Sequence, residues 1–487
     1  MSPLNRRSFL HRSAGVGVLL GLGARAVRSA RARPLGANDA INVAIVGLRK
    51  KGIQHIEVFR KLPGVRVVAL CDADTEFIDL QKAKFDERNE SVKTYVDYRK
   101  LLEDQDVDAV VVATPDHLHA LMTVWACQAG KDVYIEKPAT HDIWEGRKMI
   151  EAAGKYGRIV AVGSQNRSDV GLREAIAYVQ AGNLGEIRSM RTFAFFPRES
   201  IGKVNGPQPV PDTVDYDLFQ GPASLLPLRR RDLHYRWHWS WDTGTGELGN
   251  LGAHTIDDAR WALGQDTLST RVFALGGRFG YDDDGETPNT MIVYIDFKPV
   301  PMTYEIRGLP RAKGSSAMDD YNRLRVTMHI ECEGGSFAGG RGGGFTYDHQ
   351  GNRMKHFPGD GGETHQANFI EVLRSREVGD LRADLRAGHI SASLCHMGNI
   401  SYRLGRHERP RTIKEAVRDH PTASEAVDRL LSHLDANEID LERNPIALGP
   451  TLTFDEGQER FVDQYGDWAN MYLKRNYREP YVVPEVV

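Results

Sequence analysis

Two residues far apart in the chain, a lysine and a histidine, are of the types that the oxidation of an alcohol requires. Lys137 follows a short apolar strand pattern, Val133–Ile135, and precedes Pro138, which cannot continue a strand. Ligands of an open parallel sheet bind beyond the carboxyl ends of its strands, so Lys137 is placed to reach a bound molecule. We therefore predict that Lys137 stabilises negative charge on a substrate oxygen. An ordinary surface lysine after a strand is the alternative.

The histidine lies in a dense stretch, residues 237–261, whose second half has the pattern of a helix. His254, Asp257 and Asp258 have the spacing of one helix face, and Asn250 precedes His254 by one turn. Histidine is the usual proton acceptor near neutral pH, so we predict that His254 takes the alcohol proton and that Asn250 orients the substrate. A core histidine paired with one of the two aspartates is the alternative. A metal site here would lack a third ligand.

Three tryptophans, Trp237, Trp239 and Trp241, occupy alternate positions just before this helix. Because alternation places side chains on one face of a strand, the sequence predicts a strand at this point. Its three rings could belong to the core of a sheet or could stack on a sugar ring.

Strand patterns alternate with helix patterns through the first third of the chain. Short apolar runs lie at residues 41–46, 65–71, near 92, 107–113, 133–135 and 158–162. Alternation at this spacing is typical of βαβ units and a parallel sheet. We predict a doubly wound, Rossmann-type α/β domain over residues 40–163.

The first turn of this domain has the features of a dinucleotide phosphate site. Gly47 ends the first strand and Gly52 lies in the following helix, whose free backbone N–H groups favour a pyrophosphate. Arg49 stands at the middle glycine of the GxGxxG fingerprint. Asp72 ends the second strand, where it can accept hydrogen bonds from a ribose and repel a 2′-phosphate, which favours NAD. The basic residues 49–51 could instead pair with that phosphate, so NADP stays an alternative.

Strands dominate the chain from residue 164 onward, with few helices between them. Strand patterns recur at 187–196, 271–275, 290–297, 302–307 and 325–332. We predict a second, α+β domain over residues 164–445, with a large, open and mostly antiparallel sheet. The segment 446–487 is rich in aromatic residues and is predicted to pack in extended form on the domains.

The first 32 residues have the order of a twin-arginine export signal. Arg6-Arg7 is followed by Phe9-Leu10, by a weakly apolar run and by the small-x-small segment 30–32. A disordered basic arm is the alternative. We therefore predict a signal peptide over residues 1–32 and a periplasmic protein that is exported in its folded state.

Charge and composition narrow the classes of partner. The 487 residues have a formal net charge of −3, and loss of the six arginines of the signal segment lowers it to −9. An acidic protein is poorly suited to nucleic acid, and no apolar stretch reaches the roughly 20 residues of a membrane helix. The four cysteines are too widely spaced to predict a zinc site or a disulfide framework, and we predict no metal.

Four motifs together resemble the Gfo/Idh/MocA oxidoreductases, a family that includes glucose–fructose oxidoreductase and inositol dehydrogenase. They are Gly47–Gly52, Thr114–His119, Glu136–Pro138 and Gly252–Asp257. The resemblance implies a Rossmann domain, an open-sheet domain that often serves oligomerisation, and a substrate site between them. It also implies that Lys137 lies beside the nicotinamide and the substrate, and that His254 is the acid/base. Members of the family often have Asp where this chain has Asn250.

The resemblance and the residue patterns together predict one cofactor site and one substrate site. The predicted cofactor site consists of Gly47, Leu48, Arg49, Gly52, Asp72, Thr114, Pro115, His119, Glu136, Lys137 and Gln165. The predicted substrate site consists of Lys137, Arg167, Trp241, Asn250 and His254. The predicted function is NAD(P)-dependent oxidation of a sugar or polyol by a homo-oligomer, a dimer or tetramer, with tightly bound cofactor. The alternatives are an NAD-dependent glycoside hydrolase or lyase that oxidises its sugar transiently, and a sugar-binding protein without catalysis.

Overall fold

Two β-sheets, each covered by helices, organise the chain in the computed structural model, which describes residues 40–487. The predicted signal peptide, residues 1–32, lies outside the described residues. The first sheet is parallel and the second is mostly antiparallel, which confirms the predicted fold class. No helix within residues 40–487 is long and apolar enough to cross a bilayer.

The first sheet and its helices form a doubly wound unit. Its strands are β1 (Ile41–Val46), β2 (Val65–Cys71), β3 (Lys93–Tyr95), β4 (Ala109–Val112), β5 (Asp132–Ile135) and β6 (Val160–Val162). Its helices are α1 (Lys50–Phe59), α2 (Thr75–Glu87), α3 (Tyr98–Leu102), α4 (His119–Gln128) and α5 (Ile143–Tyr156). All six strands are parallel, in the order β3-β2-β1-β4-β5-β6. The order reverses between β1 and β4, where sheets of this kind bind their ligands.

The second sheet is built from the rest of the chain. Its strands are β7 (Ile187–Phe195), β8 (Arg271–Gly277), β9 (Thr290–Ile295), β10 (Met302–Arg307), β11 (Val326–Cys332), β12 (Gly335–Gly340), β13 (Gly343–Tyr347), β14 (Arg353–Pro358), β15 (Arg406–Glu408), β16 (Ile446–Leu448), β17 (Leu452–Asp455) and β18 (Arg460–Phe461). The helices are α6 (Val170–Gln180), α7 (Tyr216–Gln220), α8 (Gly246–Ala262), α9 (His365–Ser375), α10 (Leu385–Arg403), α11 (Pro410–Val417), α12 (Pro421–Ala436) and α13 (Gly466–Asn470). The strand order is β14-β13-β12-β11-β7-β10-β9-β8-β16-β15, with β17 paired to β8 and β18. Only the β7–β10 pair is parallel among the described strands of this sheet.

Helices α8 and α10 pack on one face of the second sheet. Leu248 and Ile256 of α8 share a buried apolar cluster with Leu394 of α10 and with Val293 and Tyr304 of the strands. Helix α10 also packs against α5 and β6 of the first unit. Helix α8 is therefore fixed by the second sheet and by α10, and α10 in turn contacts the first unit.

At strands β7–β10 and β16, the opposite face of the second sheet is covered by α11, α12 and residues 318–324, which we call the sheet cap. Tyr294 of β9 packs in one apolar cluster with Val427 of α12. Glu305 and Arg307 of β10 are wholly buried as an ion pair of 2.9 Å, and Arg429 of α12 also contacts Glu305. The cap therefore closes this face with both apolar and charged contacts.

Two regions differ from their predicted form or position. The three tryptophans do not form a strand: residues Arg236–Trp239 are a short 3-10 helix, and Trp241 lies in the turn after it. The alternating run was too short for its periodicity to distinguish a strand from a single helical turn. In segment 446–487, strands β16 and β17 belong to the second sheet, whereas Tyr481 and Val483 pack into the core of the first unit.

Candidate functional site

A cavity of about 350 Å³ lies between the two units, at the carboxyl ends of β1, β4 and β5. This volume is within the range of small-molecule sites. From the first unit its wall includes Gly47–Lys51, Asp72, Thr114–Asp116, Glu136, Lys137 and Gln165. From the rest of the chain it includes Tyr235, His238, Asn250, His254 and Tyr481.

The glycine turn between β1 and α1 is shaped for close approach to a ligand. Gly47 has a φ of +85°, and a Cβ atom there would lie 2.6 Å from the carbonyl oxygen of Ala113. A Cβ atom on Gly52 would lie 1.8 Å from the carbonyl oxygen of Gly47. Arg49 precedes α1, and its guanidinium lies over the ring of Phe77, 4.8 Å from the ring centre. The loop therefore fits a pyrophosphate at the start of α1, although its middle glycine is missing.

Asp72 fixes this loop to the end of β2. Its carboxylate accepts hydrogen bonds from the backbone N–H of Leu48, at 2.7 Å, and of Asp74, at 3.0 Å. Burial raises the pKa of Asp72 to about 6, although these two hydrogen bonds act in the opposite direction. The carboxylate lies in the cavity wall, where it can accept further hydrogen bonds from a ribose.

Lys137 and Asn250 meet across the cavity. The ammonium of Lys137 donates to the backbone and side-chain oxygens of Asn250, both at 2.8 Å. The amide of Asn250 donates weakly to Glu247 at 3.4 Å, and Glu247 is held by two hydrogen bonds from Arg198. Burial lowers the pKa of Lys137, although the nearby carboxylates of Glu136 and Asp116 oppose this shift.

His254 is not paired with either aspartate of its helix. Asp257 binds Arg167 through two hydrogen bonds of 2.7 and 2.9 Å, and Asp258 accepts a hydrogen bond from Asn166 at 2.7 Å. The buried Nδ1 of His254 has no hydrogen-bond partner among residues 40–487. Burial, followed by the charge of Lys137, lowers the pKa of His254 to about 3, so its imidazole is neutral at pH 7.

Glu136, the residue before Lys137, is the centre of a buried polar cluster. Its carboxylate contacts His55 at 2.9 Å, Gln165 at 3.1 Å and Lys51 at 3.5 Å. Burial alone would raise the pKa of Glu136, but Lys51 and His55 hold it below its usual range. This cluster ties the end of β5 to α1, and therefore fixes the backbone that carries Lys137.

The division of the chain into two units agrees with known protein families. Residues 41–164 match the NAD-binding Rossmann domain of the Gfo/Idh/MocA oxidoreductases, and residues 193–278 match the C-terminal α/β domain of the same family. Both matched segments are those of Gfo/Idh/MocA oxidoreductases. Residues 41–164 are thus an NAD-binding Rossmann domain.

Three known proteins show the extent of the likeness. Inositol 2-dehydrogenase of Salmonella typhimurium is 27% identical over 180 residues, which are 37% of this chain and 52% of that protein. A glycosyl hydrolase family 109 protein of Shewanella sp. is 30% identical over 120 residues, which are 24% of this chain and 26% of that protein. The WlbA dehydrogenase of Bordetella pertussis, solved with NADH and UDP-GlcNAcA, has a TM-score of 0.54 at 19% identity, over 73% of this chain and 94% of WlbA. The chain therefore spans about half of the dehydrogenase and a quarter of the hydrolase.

Four of the predicted site residues do not line the cavity: Gly52, His119, Arg167 and Trp241. Gly52 packs under the glycine turn, as its close contact shows. His119 joins two loops, because its ring nitrogens contact the carbonyl oxygens of Pro138 and Thr114. Arg167 forms an ion pair with Asp257. The guanidinium of Arg403 lies over the ring of Trp241, 4.9 Å from the ring centre.

Three polar residues near Lys137 were not predicted: His55, His238 and Glu247. Glu247 is three positions before Asn250, so the helix pattern alone could have placed it on the same face. His55 and His238 approach the site from α1 and from an irregular segment, and nothing in their local sequence signals it. Among residues 40–487, no group of His, Cys, Asp or Glu side chains is arranged to hold a metal, and the four cysteines are buried and unpaired.

Asn250→Asp is expected to move the alkaline limb of the pH–rate profile to higher pH. An aspartate at this position would place a carboxylate beside the ammonium of Lys137, which raises the pKa of the lysine. If the protonated lysine is the active form, the rate falls above the pKa of the lysine. This fall therefore occurs at higher pH in the variant than in the original protein. Profiles of kcat from pH 6 to 10 measure this limb. An unchanged limb would exclude Lys137 as the group that titrates.

Proposed function

We propose that this protein oxidises a hydroxyl group of a sugar or polyol and passes the hydride to bound NAD. The supporting observation is the ammonium of Lys137, held 2.8 Å from two oxygens of Asn250 in a cavity that the glycine turn also lines. An ammonium has three donors, and Asn250 takes two of them. The third is left for the substrate oxygen, where negative charge develops as the carbonyl forms.

His254 accepts the hydroxyl proton in this proposal. Its imidazole is neutral at pH 7, so one ring nitrogen can accept a proton, and neither Asp257 nor Asp258 is hydrogen-bonded to the ring. Asn250 orients the substrate hydroxyl but cannot take its proton. The donor on Lys137 and the acceptor on His254 line the same cavity from opposite domains, so a substrate oxygen can meet both.

NAD would be held by the glycine turn and by Asp72, and when bound it supplies the hydride acceptor. The positive φ of Gly47 and the absence of a side chain at Gly52 leave space for the phosphates at the start of α1, although the N–H of Leu48 already donates to Asp72. Asp72 would accept hydrogen bonds from the ribose in addition to those from the loop. The polar cluster around Glu136 would hold the backbone of Lys137 in place while the substrate hydroxyl is oxidised.

Glycoside cleavage with transient oxidation is a second candidate, favoured by the enclosure of the cavity. The N–H of Asp215 donates to Ala73 and that of Thr75 to Thr213, so an insertion of the second domain is tied to the loop after β2. The ring of Tyr235 lies 4.5 Å from the ammonium of Lys50, and Tyr481 closes another part of the wall. A cofactor enclosed in this way exchanges slowly, which suits a reaction that returns the hydride within the same cycle.

One experiment separates these candidates. The purified protein is denatured, and the nucleotide it releases is identified by mass and by absorbance. The intact protein is then given myo-inositol, D-glucose, levoglucosan and a set of p-nitrophenyl glycosides. Net formation of reduced nicotinamide supports oxidation, and release of p-nitrophenol without net reduction supports cleavage. A protein that releases no nucleotide and converts none of these compounds would contradict both.

We also propose that the protein is exported in its folded state. The proposal rests on the twin arginines and on the small-residue segment at 30–32. Changing Arg6 and Arg7 to Lys is expected to keep the protein in the cytoplasm with residues 1–32 uncleaved. Cell fractionation and the mass of the mature chain measure the result, and periplasmic protein from the variant would contradict the proposal. A dimer or tetramer stays a prediction that sedimentation can measure.

A further inference from the structure

A second cavity, of about 640 Å³, adjoins the first and shares part of its wall. The residues that line both cavities are Arg49, His234, Tyr235 and His238. The second cavity is otherwise formed by residues 197–199, Pro211, residues 231–233, Arg236 and Trp239. It therefore offers space to the part of a substrate that extends beyond the reacting hydroxyl.

His238 has a defined proton arrangement. Its Nδ1 lies 2.5 Å from the backbone oxygen of Tyr235, and a carbonyl oxygen only accepts, so Nδ1 carries the hydrogen. In the neutral ring Nε2 is then a bare acceptor. Burial lowers the pKa of His238 to about 3, so the ring is neutral at pH 7. The backbone at His238 is closely packed, because a Cβ atom on Gly244 would lie 2.3 Å from the Cα atom of His238, and the preceding Tyr235 has a φ of +63°.

The acceptor nitrogen of His238 has no hydrogen-bond partner among residues 40–487, although the residue is only 4% exposed. Two other histidines of this region, His234 and His117, do have hydrogen-bond partners. Nε2 of His234 contacts Asp74 at 2.9 Å, and both ring nitrogens of His117 contact backbone oxygens at 3.0 Å. A buried acceptor without a partner is costly to the folded state, so a donor from a ligand would compensate for it.

The charges of the second cavity favour a neutral ligand. Arg198 is paired with Glu247, and Arg236 is paired with Asp232. Of the other two arginines of the wall, Arg49 interacts with the nearby Asp72, and the wall that contains Arg231 also contains the acidic Glu199. A neutral group that donates hydrogen bonds, such as a hydroxyl, therefore suits this wall better than an anion does.

We propose that His238 is a substrate-binding residue, whose Nε2 accepts a hydrogen bond from a hydroxyl of the substrate at the passage between the two cavities. The proposal rests on the proposed function for the identity of the substrate class. It adds a contact on the side of the second cavity, away from the reacting hydroxyl. The ligand accordingly has at least two hydroxyl groups: one that reacts beside Lys137 and one that donates to His238.

Two substitutions separate this role from a structural one. His238→Asn keeps an N–H near the position of Nδ1, and therefore the bond to Tyr235, but it removes the acceptor at Nε2. His238→Gln places an oxygen near Nε2 but loses the bond to Tyr235. We expect the Asn variant to raise KM by roughly 3- to 10-fold, the value of one hydrogen bond, with kcat nearly unchanged. The Gln variant is expected to keep a KM close to that of the original protein.

The same sugars are also titrated calorimetrically into protein loaded with the reduced cofactor, NADH, which cannot accept the hydride, so that binding is measured without turnover. A sugar that binds but does not react contradicts the proposed function alone, and the change in Kd in the Asn variant still tests His238. A normal KM or Kd in the Asn variant, or an equal loss in both variants, would overturn the proposal, because it would show that the ring serves the fold only. Binding of none of the compounds would overturn both proposals.

Discussion

Lys137→Met is expected to lower kcat by about 100-fold or more while NAD stays bound, since this is the usual effect of losing general acid–base or oxyanion stabilisation. Methionine keeps the length and apolar stem of the side chain but removes all three donors. The substrate oxygen then develops its charge without a cation beside it. The glycine turn and Asp72 are untouched, so the amount of nucleotide that the purified variant releases should not change.

Lys131→Met is the matched control for this substitution. Lys131 is buried and lies just before the opposite end of the same strand, β5, where it donates to the backbone oxygens of Asp104 and Val107. Its loss should lower the free energy of unfolding and leave kcat per folded molecule nearly unchanged. Equal losses of kcat in the two variants would show that Lys137 acts through stability and would contradict its catalytic role.

His254→Ala is expected to produce a loss of the same order, about 100-fold in kcat, because the proton of the hydroxyl then has no positioned acceptor. His433→Ala, in the sheet cap, is the control, since this buried histidine faces Asp319 on the far side of the second sheet. Near-normal turnover in His254→Ala would contradict the assignment of the base.

Asp72→Ala is expected to weaken NAD binding by roughly 1.5–3 kcal/mol, the range for hydrogen bonds to a charged group, or about 10- to 150-fold in Kd. The variant should also discriminate less against NADP, because the carboxylate no longer repels a 2′-phosphate. Calorimetry with both nucleotides measures these changes on nucleotide-free protein. Asp104→Ala is the control, since Asp104 pairs with Lys93 outside the cavity wall.

Binding of NAD should also depend on pH through Asp72. The ionised carboxylate accepts hydrogen bonds from ribose hydroxyls, and the protonated form accepts fewer. Because burial raises the pKa of Asp72 to about 6, the affinity of the original protein should fall as the pH decreases from 7 to 5. In Asp72→Ala this dependence should disappear. The same dependence in both proteins would assign it to another group.

The first domain could be predicted from local sequence because its strands are short, buried on both faces and therefore almost continuously apolar. The strand that ends at Lys137 and the turn at Gly47 are of this kind. The contacts of the site were harder to predict, because they join residues far apart in the chain. That His254 is free depends on Arg167 and Asn166, which occupy its aspartates, and nothing in their local sequence indicates this.

The segment before α8 could not be predicted from local sequence. Its alternating tryptophans have the period of a strand, yet packing forms a short 3-10 helix in which Trp239 is buried. Periodicity describes regular elements, whereas this segment is held by particular contacts, such as the bond from the ring of His238 to Tyr235. His238 therefore became visible as a candidate only when its surroundings were known.

The sheet cap limits which surfaces of the second sheet a second copy of this protein can contact. The family resemblance implies that the open sheet often serves oligomerisation, but here α12 already occupies its outer face, and Arg429 contacts the buried Glu305. A second copy could take this face only by uncovering the buried pair of Glu305 and Arg307, which is costly. The edges are also unsuited to pairing, since β14 and β15 expose charged residues such as Arg353 and Arg406. The core under the sheet cap is thus completed within one chain, so the predicted dimer or tetramer would have to form through a surface other than this face.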